Sequence, residues 1–233
     1  MKRLNEYISE KLKINKDIEI NEYQYSPDSK DSLRLILKEI LKENKNANLN
    51  IIDVSKITNM GEVFDGLDPH KIDISKWDVS KCEVFVNMFH GCENLECDVS
   101  DWDMSKAKNT RSMFDGCKKF TSELSNWDVS NIIIMDDMFK NCSVFSGDVS
   151  SWNTSKCITM HGMFNNCVKF NCDISGWDVS NTDDLGAMLL GCKKFNKDLS
   201  KWDVKSNCKV DYMFQYTDIM KSNYPDWYIR NSK

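Results

Sequence analysis

The amino-acid sequence predicts an α/β solenoid of about seven coils, each with a short strand and a short helix, closed at its N-terminal end by a helical cap. Three observations predict it. All seven tryptophans (Trp77, Trp102, Trp127, Trp152, Trp177, Trp202, Trp227) fall 25 residues apart. The columns Met88, Met113, Met138, Met163, Met188, Met213 and Phe89, Phe114, Phe139, Phe164, Leu189, Phe214 keep the same step. A unit of this length cannot enclose a core alone, so a fixed period implies that neighbours stack.

The strand is predicted from "DVSDWDMS" and "DISGWDVS". These stretches are short and β-branched, and they place Trp102 and Met104 two apart on one face. The helix is predicted from Met135, Met138, Phe139 and Cys142, which follow the i, i+3, i+4, i+7 stripe over two turns. Gly91, Gly116, Asn141, Asn166 and Gly191 stand where such a helix would end in a left-handed residue. Parallel strands about 4.8 Å apart would form a sheet on one side of the stack, with helices on the other.

The array runs over residues 49–217. Its first unit, "IIDVSKITNMGEVF", carries Asp53, Val54, Ser55 and Phe64 in register, with Ile52 in the tryptophan slot. Residues 1–48 do not repeat and form an N-terminal cap, in which "SPDSKDSLRLILKEILKENKN" is an amphipathic helix. Leu33, Ile36, Leu37, Ile40 and Leu41 share one face of it, Ser29 is its N-cap, and its role is a lid on the first coil. Residues 218–233 form a C-terminal cap: "YPDWYIRNSK" keeps Trp227 but loses the "DVS" that follows the other tryptophans.

Composition narrows the function classes. Hydrophobic residues at 41% and charged residues at 29% describe a folded chain. The net charge of −5 and the lack of a Lys/Arg cluster argue against nucleic acid. No apolar run approaches the roughly 20 residues of a membrane span. The leader "MKRLNEYISEKLKINKD" has no signal-like apolar core, so the expected location is cytoplasmic or virion-associated. Ten cysteines without such a signal are expected to be free thiols.

"WDVSNIIIMDDMFKNCSVFSGDVSSW" (127–152) resembles the 25-residue repeat of bacterial surface proteins, the mycoplasma-type "WDVSNVTNMxxMFxxCxxFNxDIS" unit grouped with BspA-like leucine-rich repeats. The resemblance covers roughly residues 49–217. It implies a leucine-rich-repeat-like solenoid used for adhesion or protein binding, encoded by bacteria, phages or large viruses. Surface members carry secretion signals and wall anchors that this sequence does not show. "SWNTSKCITMHGMF" replaces the usual "DV" with Asn153 and Thr154, and "MLL" replaces "MF" in the next unit. The repeat specifies structure, so no functional residue carries over from it.

Residues that recur in every unit are expected to be scaffold. Cys92, Cys117, Cys142, Cys167 and Cys192 form one column without a C-x-x-C pair, and read as a ladder of buried thiols. Cys82 and Cys157 share a second column, Cys97 and Cys172 a third. Asp73, Asp98, Asp148, Asp173 and Asp198 form one carboxylate column, and Asp53, Asp78, Asp103, Asp128, Asp178 and Asp203 another. They are expected to bond turn amides rather than a cation. His70, His90 and His161 have no nucleophile beside them, Ser80, Ser105, Ser130 and Ser180 are architectural, and no phosphate loop occurs. Catalysis, cofactor and metal are therefore not expected.

What differs between units points to function. The slot before each tryptophan reads Lys76, Asp101, Asn126, Ser151, Gly176 and Lys201, and these six are the candidate partner-binding residues, on the sheet face. A second variable band, Asn87, Ser112, Asp137, Gly162, Ala187 and Tyr212, would lie on the helices. The sequence thus reads as a non-catalytic module that binds a host or particle protein, with a structural component of a phage or virus, or an adhesin exported by another route, as alternatives. It leaves the oligomeric state open.

Overall fold

The structure, a computed structural model, describes residues 23–232. Successive 25-residue units lie on one another in parallel register. Bridges join Asn59 to Val84, Val84 to Asn109, Asn109 to Ile134, Ile134 to Thr159, Thr159 to Asp184 and Asp184 to Lys209. Within each unit the predicted strand and helix are both replaced by turns. Among the described residues the α-helices are α1 (Lys30–Glu43) and α2 (Asp226–Asn231), and the bridges are isolated rather than parts of strands. The expected α/β solenoid with strand-plus-helix coils is therefore not the fold of this chain.

Hydrogen bonding explains why the helix fails. An α-helix needs each N–H to reach the carbonyl four residues back. Here the N–H groups of Met135, Asp137, Phe139 and Asn141 leave their own unit and donate to the carbonyls of Thr159, His161, Met163 and Asn165 at 3.0, 2.8, 2.9 and 2.7 Å. The N–H groups between them, on Met138, Lys140 and Cys142, close turns on Met135, Asp137 and Phe139. Every second donor serves the next coil and the others fold the coil. This requires two left-handed residues per unit, Asp137 (φ 52) and Asn141 (φ 60) in this one, which no α-helix tolerates. The Gly/Asn column is left-handed as expected, but it lies inside a chain of turns and not at helix ends.

The strand fails for a related reason: corners interrupt it. Asp98 takes the N–H of Ser100, Asp103 takes that of Ser105, and the N–H groups of Trp102 and Ala107 close turns on Val99 and Met104. Trp102 and Met104 do share the inner face, both buried.

Coils are joined on this side by side chains. The indole Nε1–H of Trp127 donates 2.8 Å to the carbonyl of Val99, which also takes the Trp102 N–H. All seven tryptophans repeat the bond, down to Trp77 on Leu49 and Trp227 on Leu199. Four successive pairs of these rings stack, among them Trp127 and Trp152 at 6.3 Å and 2° and Trp152 and Trp177 at 6.1 Å and 6°. Phe114, Phe139 and Phe164 run in parallel at 5.6 Å steps. Each such ring pair adds about 0.5–1.5 kcal/mol beyond the burial of its area.

Helix α1 forms where the stripe predicts it. Ser29 accepts the N–H of Ser32 and Ser32 returns a bond to the Ser29 backbone, closing a capping box. Leu33, Ile36, Leu37, Ile40 and Leu41 are all buried in the common core. At the other end Trp227 lies on α2 and stacks on Trp202 at 5.9 Å.

Candidate functional site

The recurring polar groups are consumed inside the stack. Cys117, Cys142, Cys167 and Cys192 each donate Sγ–H to the carbonyl of Phe89, Phe114, Phe139 and Phe164, at 3.1, 3.0, 2.9 and 3.0 Å. Desolvation by burial pushes these thiols up, Cys192 to about 12 and Cys82, in the second column, to about 11. All ten cysteines are free. The buried thiol ladder is thus borne out for the repeat column, while Cys97 and Cys172 are half-buried.

The aspartates also behave as expected. Asp53, Asp78, Asp128 and Asp178 accept the N–H of the serine two residues on at 3.0 Å, and Asp73, Asp148, Asp173 and Asp198 do the same in the other column. Asn153 reproduces the turn with Ser155. Bonds from Ser130 and Ser180 to the ionised carboxylates of Asp128 and Asp178, first through the serine side chain, hold both below 3.8.

The six predicted partner-binding residues, Lys76, Asp101, Asn126, Ser151, Gly176 and Lys201, are all exposed. They lie on turns, because the sheet expected to carry them is absent among the described residues. The turn places each one directly before a buried tryptophan, so the six follow the same 25-residue register as the rings beneath them. Their neighbours are the carboxylates of the two aspartate columns. Gly176 has open space where a side chain would project.

The second variable band is not on helices. Asn87, Ser112, Asp137, Gly162, Ala187 and Tyr212 are the first left-handed residue of each unit, with φ from 52 to 62°; Tyr212 alone of the six is exposed, so the variation of the others reflects a backbone position rather than a surface.

Sequence reasoning missed a third surface, beside the bridges. Lys108 pairs with Glu83 at 2.8 Å and Lys205 with Asp183 at 2.7 Å. Asp136, only 6% exposed, accepts from Arg111 at 3.1 Å, from the His161 N–H at 3.1 Å and from the Thr159 hydroxyl. His161 Nδ1 lies 3.3 Å from Asp184, which Lys209 also approaches. Ile133 and Ile158 are exposed among these charges. The signal was available: Val86, Arg111, Asp136, His161, Gly186 and Asp211 share one slot and hold five residue types in six units. Among the described residues no three His, Cys, Asp or Glu converge as a metal would require, and no helix is long and apolar enough to cross a membrane.

The family model described as "Mycoplasma protein of unknown function, DUF285" matches residues 35–149 and again residues 115–227. No curated protein and no solved structure was found to match the chain.

Proposed function

We propose, from the premise that the chain belongs to the Mycoplasma DUF285 repeat family, that it is a non-catalytic protein-binding module whose partner lies across the exposed turn face. One observation supports this most. The recurring tryptophans, cysteines and aspartates spend their polar atoms on neighbouring coils and turns, whereas Lys76, Asp101, Asn126, Ser151, Gly176 and Lys201 are exposed and share one row, in which, among side chains, only the Ser151 hydroxyl bonds a neighbouring coil, at the Ser125 carbonyl. Constant side chains set the spacing, and variable ones carry the specificity. The row is chemically graded: lysines mark its two ends, and small or uncharged residues lie between Asp101 and Lys201. A partner reading it would need acidic groups at both ends and close approach at Gly176, where nothing projects.

The test is recovery of a stoichiometric partner from extracts of producing cells on immobilised protein. Lys76→Glu with Lys201→Glu should lower recovery several-fold while leaving the melting temperature unchanged, since both side chains are exposed. Full recovery by the double variant removes this face from consideration.

A further inference from the structure

The two ends of the stack are finished differently. At the N-terminal end the Arg34 guanidinium donates to the carbonyls of Glu62 and Asp65 at 2.5 and 2.6 Å, the Lys45 ammonium donates to the carbonyl of Leu67, and the apolar stripe of α1 is buried in the core that begins there. At the other end Tyr224 and Tyr228 cover the Phe214 ring, while Arg230 and Asn231 donate to the carbonyls of Val204, Lys205 and Cys208. The ladder of turns itself is left open. Leu185, Ala187 and Gly191 donate their N–H groups to Lys209, Asp211 and Gln215 in the last coil. One coil later the equivalent N–H groups of Tyr212 and Tyr216 meet no acceptor among the described residues.

This edge offers donors only. The carbonyls of Val210, Tyr212 and Phe214 are taken inside the coil by the N–H groups of Met213, Gln215 and Thr217. The side chains are unusual as well. Tyr212 (φ 60) and Tyr216 (φ 61) stand in left-handed positions, and in the Tyr216 column every other coil has Gly or Asn. A bulky residue is disfavoured there, yet the two tyrosines are 66% and 71% exposed, and among the described residues neither ring stacks on another. Natural chains blunt open edges with charge, proline or a cover. Here two aromatic rings flank the free donors.

We infer that this edge docks a polypeptide segment folded as a further coil of the same repeat, with its own acceptor edge uncovered. An ordinary β-strand presents an N–H for each C=O along its edge, so its donors would face donors here. A coil of this repeat matches, because its outward carbonyls alternate with N–H groups already spent on internal turns, as those of Lys209, Asp211 and Gln215 show. The contact continues the coil-on-coil interface that runs the length of the chain, and Tyr212 and Tyr216 would close over it. A second copy of this chain does not fit as it stands, since its acceptor edge lies beneath α1 and Arg34. The inference is independent of the turn face proposed above.

The probe is an unlabelled full chain carrying Arg34→Glu and Leu37→Glu, which uncovers an acceptor edge, mixed with isotope-labelled wild-type protein. Amide exchange at Tyr212 and Tyr216 of the wild type is expected to slow by about tenfold or more. Tyr212→Lys with Tyr216→Lys in the labelled chain should abolish the protection. If the coils of the probe unfold, a full chain carrying Arg34→Glu alone, which frees the carbonyl of Asp65 and keeps Leu37 in the core, replaces it. Unchanged exchange at both amides with the folded probe or its replacement, or protection that survives the lysine substitutions, overturns the inference.

Discussion

The two sides of each coil hold the stack together by different chemistry. On the tryptophan side the inter-coil bonds come from side chains, such as Trp127 Nε1 to the Val99 carbonyl. On the methionine side they come from the backbone, such as the Asp137 N–H to His161 and the Phe139 N–H to Met163. A bond made by a side chain fixes its residue, and tryptophan never varies in its column from Trp77 to Trp227. Bonds made by the backbone fix a conformation instead, so Glu62, Asn87, Ser112, Asp137, Gly162, Ala187 and Tyr212 can share one left-handed slot. Constancy and variation along the repeat therefore report which atom makes the contact.

The comparison breaks most visibly at Trp127. Trp127→Ala removes a buried ring that stacks on Trp152 and meets Phe114 at a tilt, and should cost about 3–5 kcal/mol in denaturant unfolding. Trp227→Ala should cost less, because among the described residues Trp227 packs on a coil on one side only, whereas Trp127 lies between two coils. Equal losses at the two positions would contradict serial stacking. Trp127→Phe keeps much of the packing and drops the Nε1–H bond, for about 1 kcal/mol.

On the backbone side the sensitive variable is φ. Gly116→Ala should cost about 1–2 kcal/mol, since Gly116 has φ 82° and the new Cβ would lie 3.4 Å from Gly91 Cα. Ser112→Gly, at φ 52°, should be neutral or slightly stabilising, and a loss comparable to that of Gly116→Ala would refute the conformational explanation.

Cysteine labelling sharpens the contrast without mutation. The half-buried Cys172 should react with an alkylating reagent before the others, and Cys117, Cys142, Cys167 and Cys192 only on unfolding, because thiols that are buried and pushed up form little thiolate; Cys97, half-buried but pushed up strongly by desolvation, should lag behind Cys172. Mass mapping of the labelled sites checks the order.

The smallest expected effect is in the turns. Serine donors hold the Asp128 and Asp178 carboxyls below their ordinary 3.8. Their folded values are depressed, so this stabilisation is present above about pH 3.8 and disappears as pH falls through the lower folded values. Asp178→Asn should keep the turn, as Asn153 does with Ser155, and weaken the acid dependence of unfolding between those limits. An acid profile identical to wild type would remove Asp178 from the account.

The period, the cap helix and the scaffold columns were legible in the sequence because each rests on residue identity: indole at every twenty-fifth position, an apolar stripe from Leu33 to Leu41, Ser29 before it, aspartate two residues ahead of serine. The local conformation was not. Met135, Met138, Phe139 and Cys142 point inward in a chain of overlapping turns as they would in a helix, so the stripe fits both. What separates the two is the destination of alternate N–H groups, which is a property of the neighbouring coil and absent from any single unit. The candidate row before the tryptophans was legible as variable and is exposed, but its setting on turns was not, because Asp–Ser bonds bend a segment whose alternation reads as a strand.

The central claim is that each unit contacts the units one repeat before and after it, and no others. Nuclear Overhauser contacts among the indoles and phenyl rings test this most directly. The account predicts contacts from Trp127 to Trp152 and from Phe139 to Phe164, and none from Trp77 to Trp177. Contacts between tryptophans several repeats apart, or none between successive ones, would contradict it.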